Sequence, residues 1–254
     1  MKVVILCGGQ GTRAYPYTRR MPKALMPVSG LPIVEQVMRI YAAQGFDEFV
    51  LAVGYLKEDL YAYFRHKTDW NVECIDTGEN TDTAGRIYRV LDYVGERFHA
   101  TYCDGLGNVD LQGLVQFHLQ HGKSATVTAT PLRSQYGILH FEDDGRIVAF
   151  EEKPVLNDYW INAGFFIFER DAFRQDLGPN LERDVLPALV GAGALHAFPH
   201  RGFWRSMDTH KDQQELDVLW NPFSRDLEDR TPVAGADVPE WLSQRYALIG
   251  AELA

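Results

Sequence analysis

Val3-Val4-Ile5-Leu6-Cys7 is an unbroken apolar run that stops at Gly8-Gly9. A strand with one wet face alternates polar and apolar residues, so a run with no polar position needs cover on both faces, the condition of a central strand in an α/β sheet. The pattern recurs. Residues 32–44 place Ile33, Val37, Ile40 and Tyr41 at helical spacing before Gly45, and Phe49–Tyr55 is a second apolar strand followed by a helical stretch over Lys57–His66. Shorter strands are expected at Val72–Asp76 and Ala100–Cys103. Strands that alternate with helices form βαβ units, so this part of the chain predicts an open, doubly wound, mostly parallel Rossmann-like α/β sheet.

After Ser124 the style changes. Strand-like segments at Ala125–Thr130, Gly137–Phe141, Arg146–Phe150 and Trp160–Phe168, with Asp143-Asp144-Gly145 as a hairpin turn, predict antiparallel strands added to the same sheet. Helices are expected at Asp110–Gln120, Leu181–Val190 and Thr209–Trp220. Beyond Asn221-Pro222 the periodicity fades, which predicts a main domain over 1–221 and a C-terminal appendage over 222–254 with one short helix from Pro239 to Ala251.

Charge sharpens the reading. The chain carries 25 Lys and Arg against 35 Asp and Glu, a net charge of −10, which argues against a nucleic-acid partner. Yet residues 1–34 hold Lys2, Arg13, Arg19, Arg20 and Lys23 and no acid, a local site for an anion in an acidic protein. The first apolar run is too short for a signal-peptide core or a membrane span, and Cys7, Cys74 and Cys103 show no paired spacing. A cytoplasmic protein with no membrane partner is expected, its cysteines serving as small buried hydrophobes within strands.

Gly8-Gly9-Gln10-Gly11-Thr12-Arg13 follows the first strand and so lies at a carboxyl end of the sheet, where open α/β folds bind ligands. Glycines let backbone N–H groups approach phosphate oxygens, and Arg13 and Lys23 can neutralise the charge; the bland alternative is a tight turn. Two look-alikes are set aside. Gly9-Gln10-Gly11-Thr12-Arg13-Ala14 matches the dinucleotide fingerprint formally, but Pro16, Pro22 and Pro27 forbid the helix that fingerprint must open. Gly122-Lys123-Ser124 lacks the first glycine of a P-loop and precedes a strand.

Asp104, beside Gly105 at a strand end, and Asp208, between an aromatic strand and a helix, are two carboxylates of the kind that hold Mg²⁺ together with phosphate and water. Asp208 has a competing reading as a helix N-cap. Between them, Lys153 can take a second phosphate, and Glu152 and Asn162 can hydrogen-bond hydroxyls of a polar ligand; a solvated Glu-Lys turn is the plain alternative. His118-x-x-His121 reads as a surface pair at a helix end.

Taken together, Gly8-Gly9-x-Gly11-Thr12-Arg13, Pro16-x-Thr18, Pro22-Lys23-x-Leu25-x-Pro27-Val28, Tyr102-x-Asp104-Gly105, Tyr136-Gly137, Glu152-Lys153-Pro154, Ile161-Asn162-x-Gly164 and Met207-Asp208-Thr209 resemble the sugar-1-phosphate nucleotidyltransferases, over roughly residues 1–220. Asp76-Thr77-Gly78, Thr83-Ala84-Gly85-Arg86-Ile87, Phe117-His118 with His121-Gly122-Lys123-Ser124-Ala125-Thr126, and Gly202-Phe203-Trp204 are most similar to the glucose-1-phosphate cytidylyltransferases. Three features depart from that group. Only His66 to Asn71 connects elements between which its members carry a long insertion, Ala84-Gly85-Arg86 replaces Gly-Gly-Arg, and the Tyr15–Pro27 loop is closer to thymidylyl- and uridylyltransferases.

The resemblance implies a GT-A-like fold, a homo-oligomer, and in-line attack of a sugar-1-phosphate oxygen on the α-phosphorus of a nucleoside triphosphate. Under it Leu6, Gly8, Gly9, Gly11, Thr12, Arg13, Lys23, Thr77, Gly78, Gly85, Arg86 and Asp104 bind the nucleotide, the Arg86 side chain and neighbouring backbone groups meeting the base edge. Gly137, Glu152, Lys153, Asn162 and Gly164 bind the sugar phosphate. Arg13, Lys23 and Asp104 are the catalytic set, and Asp104 with Asp208 holds Mg²⁺. CTP with glucose 1-phosphate is the leading pair, UTP, dTTP or GTP with another sugar 1-phosphate the second, and a non-catalytic nucleotide-sugar-binding regulatory subunit an alternative of another class.

Overall fold

The computed structural model describes residues 1–65, 67, 69–173, 176–230 and 238–253. The chain runs β1 (Val3–Leu6), β2 (Pro27–Val28), β3 (Leu31–Pro32), α1 (Ile33–Ala42), β4 (Glu48–Val53), α2 (Lys57–Phe64), β5 (Asn71–Asp76), α3 (Thr83–Val90) and β6 (Arg97–Tyr102). It continues through β7 (Gly105–Gly107), α4 (Leu111–His121), β8 (Ala125–Arg133), β9 (Ile138–Phe141), β10 (Ile147–Glu151) and β11 (Val155–Glu169). A π-helical turn at Leu181–Val185 leads into α5 (Leu186–Gly191), then β12 (Leu195–Pro199), β13 (Trp204–Ser206), α6 (His210–Arg230) and α7 (Glu240–Leu253).

Seven strands form one sheet in the order β12-β8-β11-β6-β1-β4-β5. β1 pairs in parallel with both β4 and β6, while β11 runs antiparallel between β6 and β8. The fold is the expected mixed α/β architecture, and β8 and β11 join the same sheet, but β9 and β10, also expected there, pair only with each other as a separate two-stranded hairpin. Strand β1 shows why its sequence has no polar position. Val3, Ile5 and Cys7 enter a core under α1, α2 and α6, and Val4 and Leu6 enter a second core on the other face under α3 and the 181–189 segment. A polar residue at any of these fully enclosed positions costs the desolvation of a group with no partner.

The chain moves from β1 outward to β4 and β5, then returns to the far side of β1 with β6. That reversal is a topological switch point, and the crevice outside the carboxyl ends of β1 and β6 is where such sheets place a ligand. The Gly8–Arg13 loop follows β1 and Asp104 follows β6, so both lie at the crevice.

The structure departs from the expected elements in several places, among them the unexpected edge strand β12. Thr83–Val90 is a helix, capped by the Asp82 carboxylate on the Thr83 amide. α6 continues through the expected boundary at Asn221-Pro222 to Arg230. Pro222 removes only the donor to the Val218 carbonyl, and Val218 is 74% exposed, so water can take that acceptor. Leu242 and Ile249 of α7 are then buried in the same core as α1 and α6. His66, the expected end of the second helix, and Asp237 of the connection to α7 lie outside the described residues.

Candidate active site

The loop after β1 is shaped by its neighbours. Gly8 accepts the Tyr55 amide and is buried; a Cβ there would lie 1.9 Å from Arg86 Nη1. Gly11 has a φ of +62° and opens a single 3₁₀ turn at Thr12–Ala14, its carbonyl accepting from the Ala14 amide and, at 2.8 Å, from Thr18 Oγ1. That turn replaces the helix a dinucleotide site would need. Gly9 differs, because a Cβ there would meet nothing within 4 Å. No protein neighbour forces glycine at that exposed position.

The two aspartates, far apart in sequence, are joined by a short antiparallel ladder. Ser206 of β13 faces Gly105 of β7, and the Met207 amide donates to the Asp104 carbonyl at 2.9 Å. Lys23, with 9% of its side chain exposed, sits between the carboxylates: Nζ is 2.6 Å from Asp104 Oδ2 and 3.3 Å from Asp208 Oδ1. Arg13 closes the group at 2.9 Å from Asp208 Oδ1. Burial pulls the Lys23 ammonium down, but the charge and hydrogen bond of Asp104, with Asp208 beyond it, hold its pKa above the ordinary value.

The N-cap reading of Asp208 fails on geometry. Thr209 and Asp212 cap α6 reciprocally, with Asp212 Oδ2 accepting the Thr209 amide at 2.7 Å and Thr209 Oγ1 accepting the Asp212 amide at 3.2 Å. Asp212 also takes the Asp208 amide, so the Asp208 carboxylate is released to face Lys23 and Arg13. Asp104 and Asp208 are hard oxygen donors converging on one cation position. Among the described residues no third acid, histidine or cysteine completes a protein-only metal cage.

The Thr77-Gly78 segment leaves β5 beside this crevice, and here the side-chain role expected of Arg86 is corrected. The Arg86 guanidinium is buried and turned inward, donating to Thr77 Oγ1 at 2.7 Å, Gly78 O at 2.9 Å, Gly8 O at 2.8 Å and Glu79 O at 3.2 Å. It ties the Gly-rich loop to the 77–79 segment, both of its Nη groups donating to protein oxygens. Burial lowers its pKa. Gly85 docks α3 through its amide on the Pro179 carbonyl.

On the other side, Gly137 and Glu152 lie together at the base of the β9–β10 hairpin, where a Cβ on Gly137 would be 3.1 Å from Glu152 Oε2. Lys153 has a φ of +47°, is exposed, and makes no ion pair among the described residues. Asn162 Oδ1 accepts the Gly164 amide at 2.8 Å, and Gly164, at φ +80°, leaves no room for a Cβ, which would be 2.5 Å from Tyr102 Cδ2. Tyr102 stands in the Tyr102-x-Asp104-Gly105 motif but was given no site role there, and nothing in the sequence pointed to Glu182. Asn162 donates to the Tyr102 hydroxyl, which in turn donates to Glu182.

The histidine pair is also corrected. His118 is 1% exposed, held between Thr126 Oγ1 and Glu169, because α4 packs its last turn on β8. Gly122 is the left-handed C-cap of α4, so the look-alike P-loop is a helix-to-strand turn. Cys7 and Cys103 are buried just past strand ends, and Cys74 is half-buried within β5. No helix among the described residues is long and apolar enough to cross a membrane.

The family of nucleotidyl transferases matches residues 2–216. The glucose-1-phosphate cytidylyltransferase of Salmonella typhi is 36% identical over 249 residues, covering 87% of this chain and 96% of that protein. The probable glucose-1-phosphate cytidylyltransferase of Bacillus subtilis is 37% identical over 247 residues, covering 87% and 96%. A mannose-1-phosphate guanyltransferase of Hypocrea jecorina is 32% identical, covering 84% of this chain and 62% of its own length. The crystal structure of a putative glucose-1-phosphate thymidylyltransferase from Bacillus anthracis shares the fold, with a TM-score of 0.70 at 20% identity over 87% of this chain and 95% of that one. With the family matched over residues 2–216 and 36–37% identity over most of its length, the chain belongs to the nucleotidyl transferase family, among its sugar-1-phosphate nucleotidyltransferases.

Proposed function

We propose that this enzyme transfers a cytidylyl group from CTP to α-D-glucose 1-phosphate, giving CDP-glucose and pyrophosphate. The observation that carries the reading is the four-charge cluster of Arg13, Lys23, Asp104 and Asp208 at the switch-point crevice. The choice of base and sugar is supported by the 36–37% identity to glucose-1-phosphate cytidylyltransferases.

In this reading an ionised oxygen of the sugar phosphate attacks the α-phosphorus in line. A new P–O bond forms as the bond to the β-phosphate breaks, and pyrophosphate leaves with the electron pair. Phosphoryl transfer asks the protein for positioning and charge balance, and no general base is needed because the nucleophile is already an anion. Leu6 and the glycines of the loop admit the triphosphate, Thr12 holds it, and Arg13 stabilises the departing pyrophosphate. Lys23 lies between the reacting phosphates and offsets their repulsion. The base is read at the Thr77-Gly78 and Gly85 segments, whose placement Arg86 fixes from behind. Lys153 takes the sugar phosphate, and Gly137, Glu152, Asn162 and Gly164 surround the hexose. Asp104 and Asp208 would hold Mg²⁺, which supplies charge neutralisation at the α-phosphate when phosphate oxygens complete its shell.

The test is pyrophosphate release from purified enzyme with Mg²⁺ and a panel of CTP, UTP, dTTP, ATP and GTP against several sugar 1-phosphates. Fastest turnover with CTP and α-D-glucose 1-phosphate is expected. A faster pair of another base or sugar redirects the assignment, and silence across the panel overturns it.

A further inference from the structure

Four side chains outside the charged cluster form one continuous hydrogen-bonded line. Asn162 Nδ2 donates to the Tyr102 hydroxyl at 3.3 Å, Tyr102 donates to Glu182 Oε1, and Thr83 Oγ1 donates to Glu182 Oε2 at 2.8 Å while accepting the Leu181 amide at 2.8 Å. Glu182 is exposed, yet both of its oxygens are taken by protein donors. It sits in the π-helical turn Leu181–Val185, an irregularity often found at functional sites. The adjoining contacts fix that turn on α3: Asn180 Nδ2 donates to Asp82 Oδ2 at 2.9 Å and the Gly85 amide to the Pro179 carbonyl at 3.0 Å.

Tyr102 is held for this task. Its ring lies over Gly164, where no Cβ fits, and meets Phe166 edge-on at 5.7 Å. The hydroxyl is donor to a carboxylate and acceptor from an amide, so its single proton has one place to go. That fixes the Asn162 amide: Oδ1 takes the Gly164 N–H, one Nδ2 hydrogen takes Tyr102, and one hydrogen and one lone pair are left to present outward. We infer that Tyr102 and Glu182 are positioning residues that orient Asn162 toward the hydroxyls of the sugar 1-phosphate, with Glu182 anchored to the start of the nucleotide-side helix α3. The inference rests on the proposed role of Asn162 at the sugar.

Steady-state pyrophosphate release with CTP and α-D-glucose 1-phosphate separates the cases. Tyr102→Phe keeps the ring and removes the hydroxyl; Glu182→Ala removes the anchor and Glu182→Gln keeps one acceptor. We expect KM for α-D-glucose 1-phosphate to rise about 3- to 10-fold in Tyr102→Phe and Glu182→Ala, the equivalent of one net hydrogen bond, with kcat and KM for CTP within about twofold. Glu182→Gln should recover most of the loss. Asn162→Ala should raise the same KM, and adding Tyr102→Phe to it should add nothing, as residues in one line are non-additive. If Asn162→Ala leaves the sugar KM unchanged, the sugar-site reading falls and this inference with it. If Asn162→Ala raises it while Tyr102→Phe and Glu182→Ala do not, only the inference falls. Parallel rises in both KM values that track a lowered Tm would make the line merely structural and overturn it too.

Discussion

Lys23→Met isolates what the central cation does. Methionine keeps the length of the stem, which packs beside Gly11 and Thr18, and deletes the ammonium that now stands 2.6 Å from Asp104 and 3.3 Å from Asp208. Two carboxylates would then face each other with only Arg13, 71% exposed, to balance them. Losing one partner of an exposed pair costs about 0–1 kcal/mol and of a fully buried pair about 3–5 kcal/mol. The aspartate side chains here are 22% and 28% exposed, between those limits. We expect about 2 kcal/mol, which for a chain of this size is a fall in Tm of roughly 4–8 °C. Because the lost charge is electrostatic, millimolar Mg²⁺ should return part of that Tm in the variant and little in the parent protein. Turnover should fall by about 10²- to 10³-fold, the usual cost of a lost preorganised charge. Differential scanning calorimetry and pyrophosphate release measure the two effects. A variant with unchanged Tm and a rate within about threefold of the parent would refute the argument that Lys23 holds this cluster and serves the reaction.

Two further outcomes follow from buried groups. Arg86→Lys keeps the charge but cannot serve four separate acceptors, so it should cost about 2–4 kcal/mol in urea unfolding and raise KM for CTP, because the Gly8 loop and the Thr77–Glu79 segment lose their common tie. His99, enclosed by Tyr41 and Phe46, is held neutral by burial with its pKa lowered to about 3. The unfolded chain therefore binds the extra proton, and this stability is complete above about pH 6.5 and drains as the pH falls toward 3, at about 1.4 kcal/mol per pH unit. Urea unfolding between pH 7 and 4.5 should show that slope, and His99→Leu should flatten it; equal slopes in the two proteins would count against it.

Periodicity and strand ends made much of this molecule legible. Val3–Cys7 had to be central, and the Gly-rich loop and Asp104 were readable as lying at carboxyl ends of strands, whereas the pairing of β6 beside β1 is seen only in the structure. What escaped was set by partners distant in sequence. At the opening of α3, Thr83 has middling and Gly85 poor helix propensity, and the helix forms because Asp82 caps it and Pro179 and Glu182 dock it. Asp208 looked like a cap because a helix follows, and only the Thr209–Asp212 pair shows otherwise. Arg86 looked like a ligand contact because motif position says nothing about which way a long side chain turns. His118 read as surface because a helix end reveals neither Thr126 nor Glu169 beneath it.

Under the proposed mechanism, the β7–β13 ladder makes activity a property of the whole chain. A cut at the exposed Gly122-Lys123 turn would leave one fragment with Arg13, Lys23 and Asp104 and another with Lys153 and Asp208, each carrying part of the machinery and neither able to bring the two carboxylates together. Activity would then return only as the fragments reassemble, so turnover becomes a reporter of association between two halves.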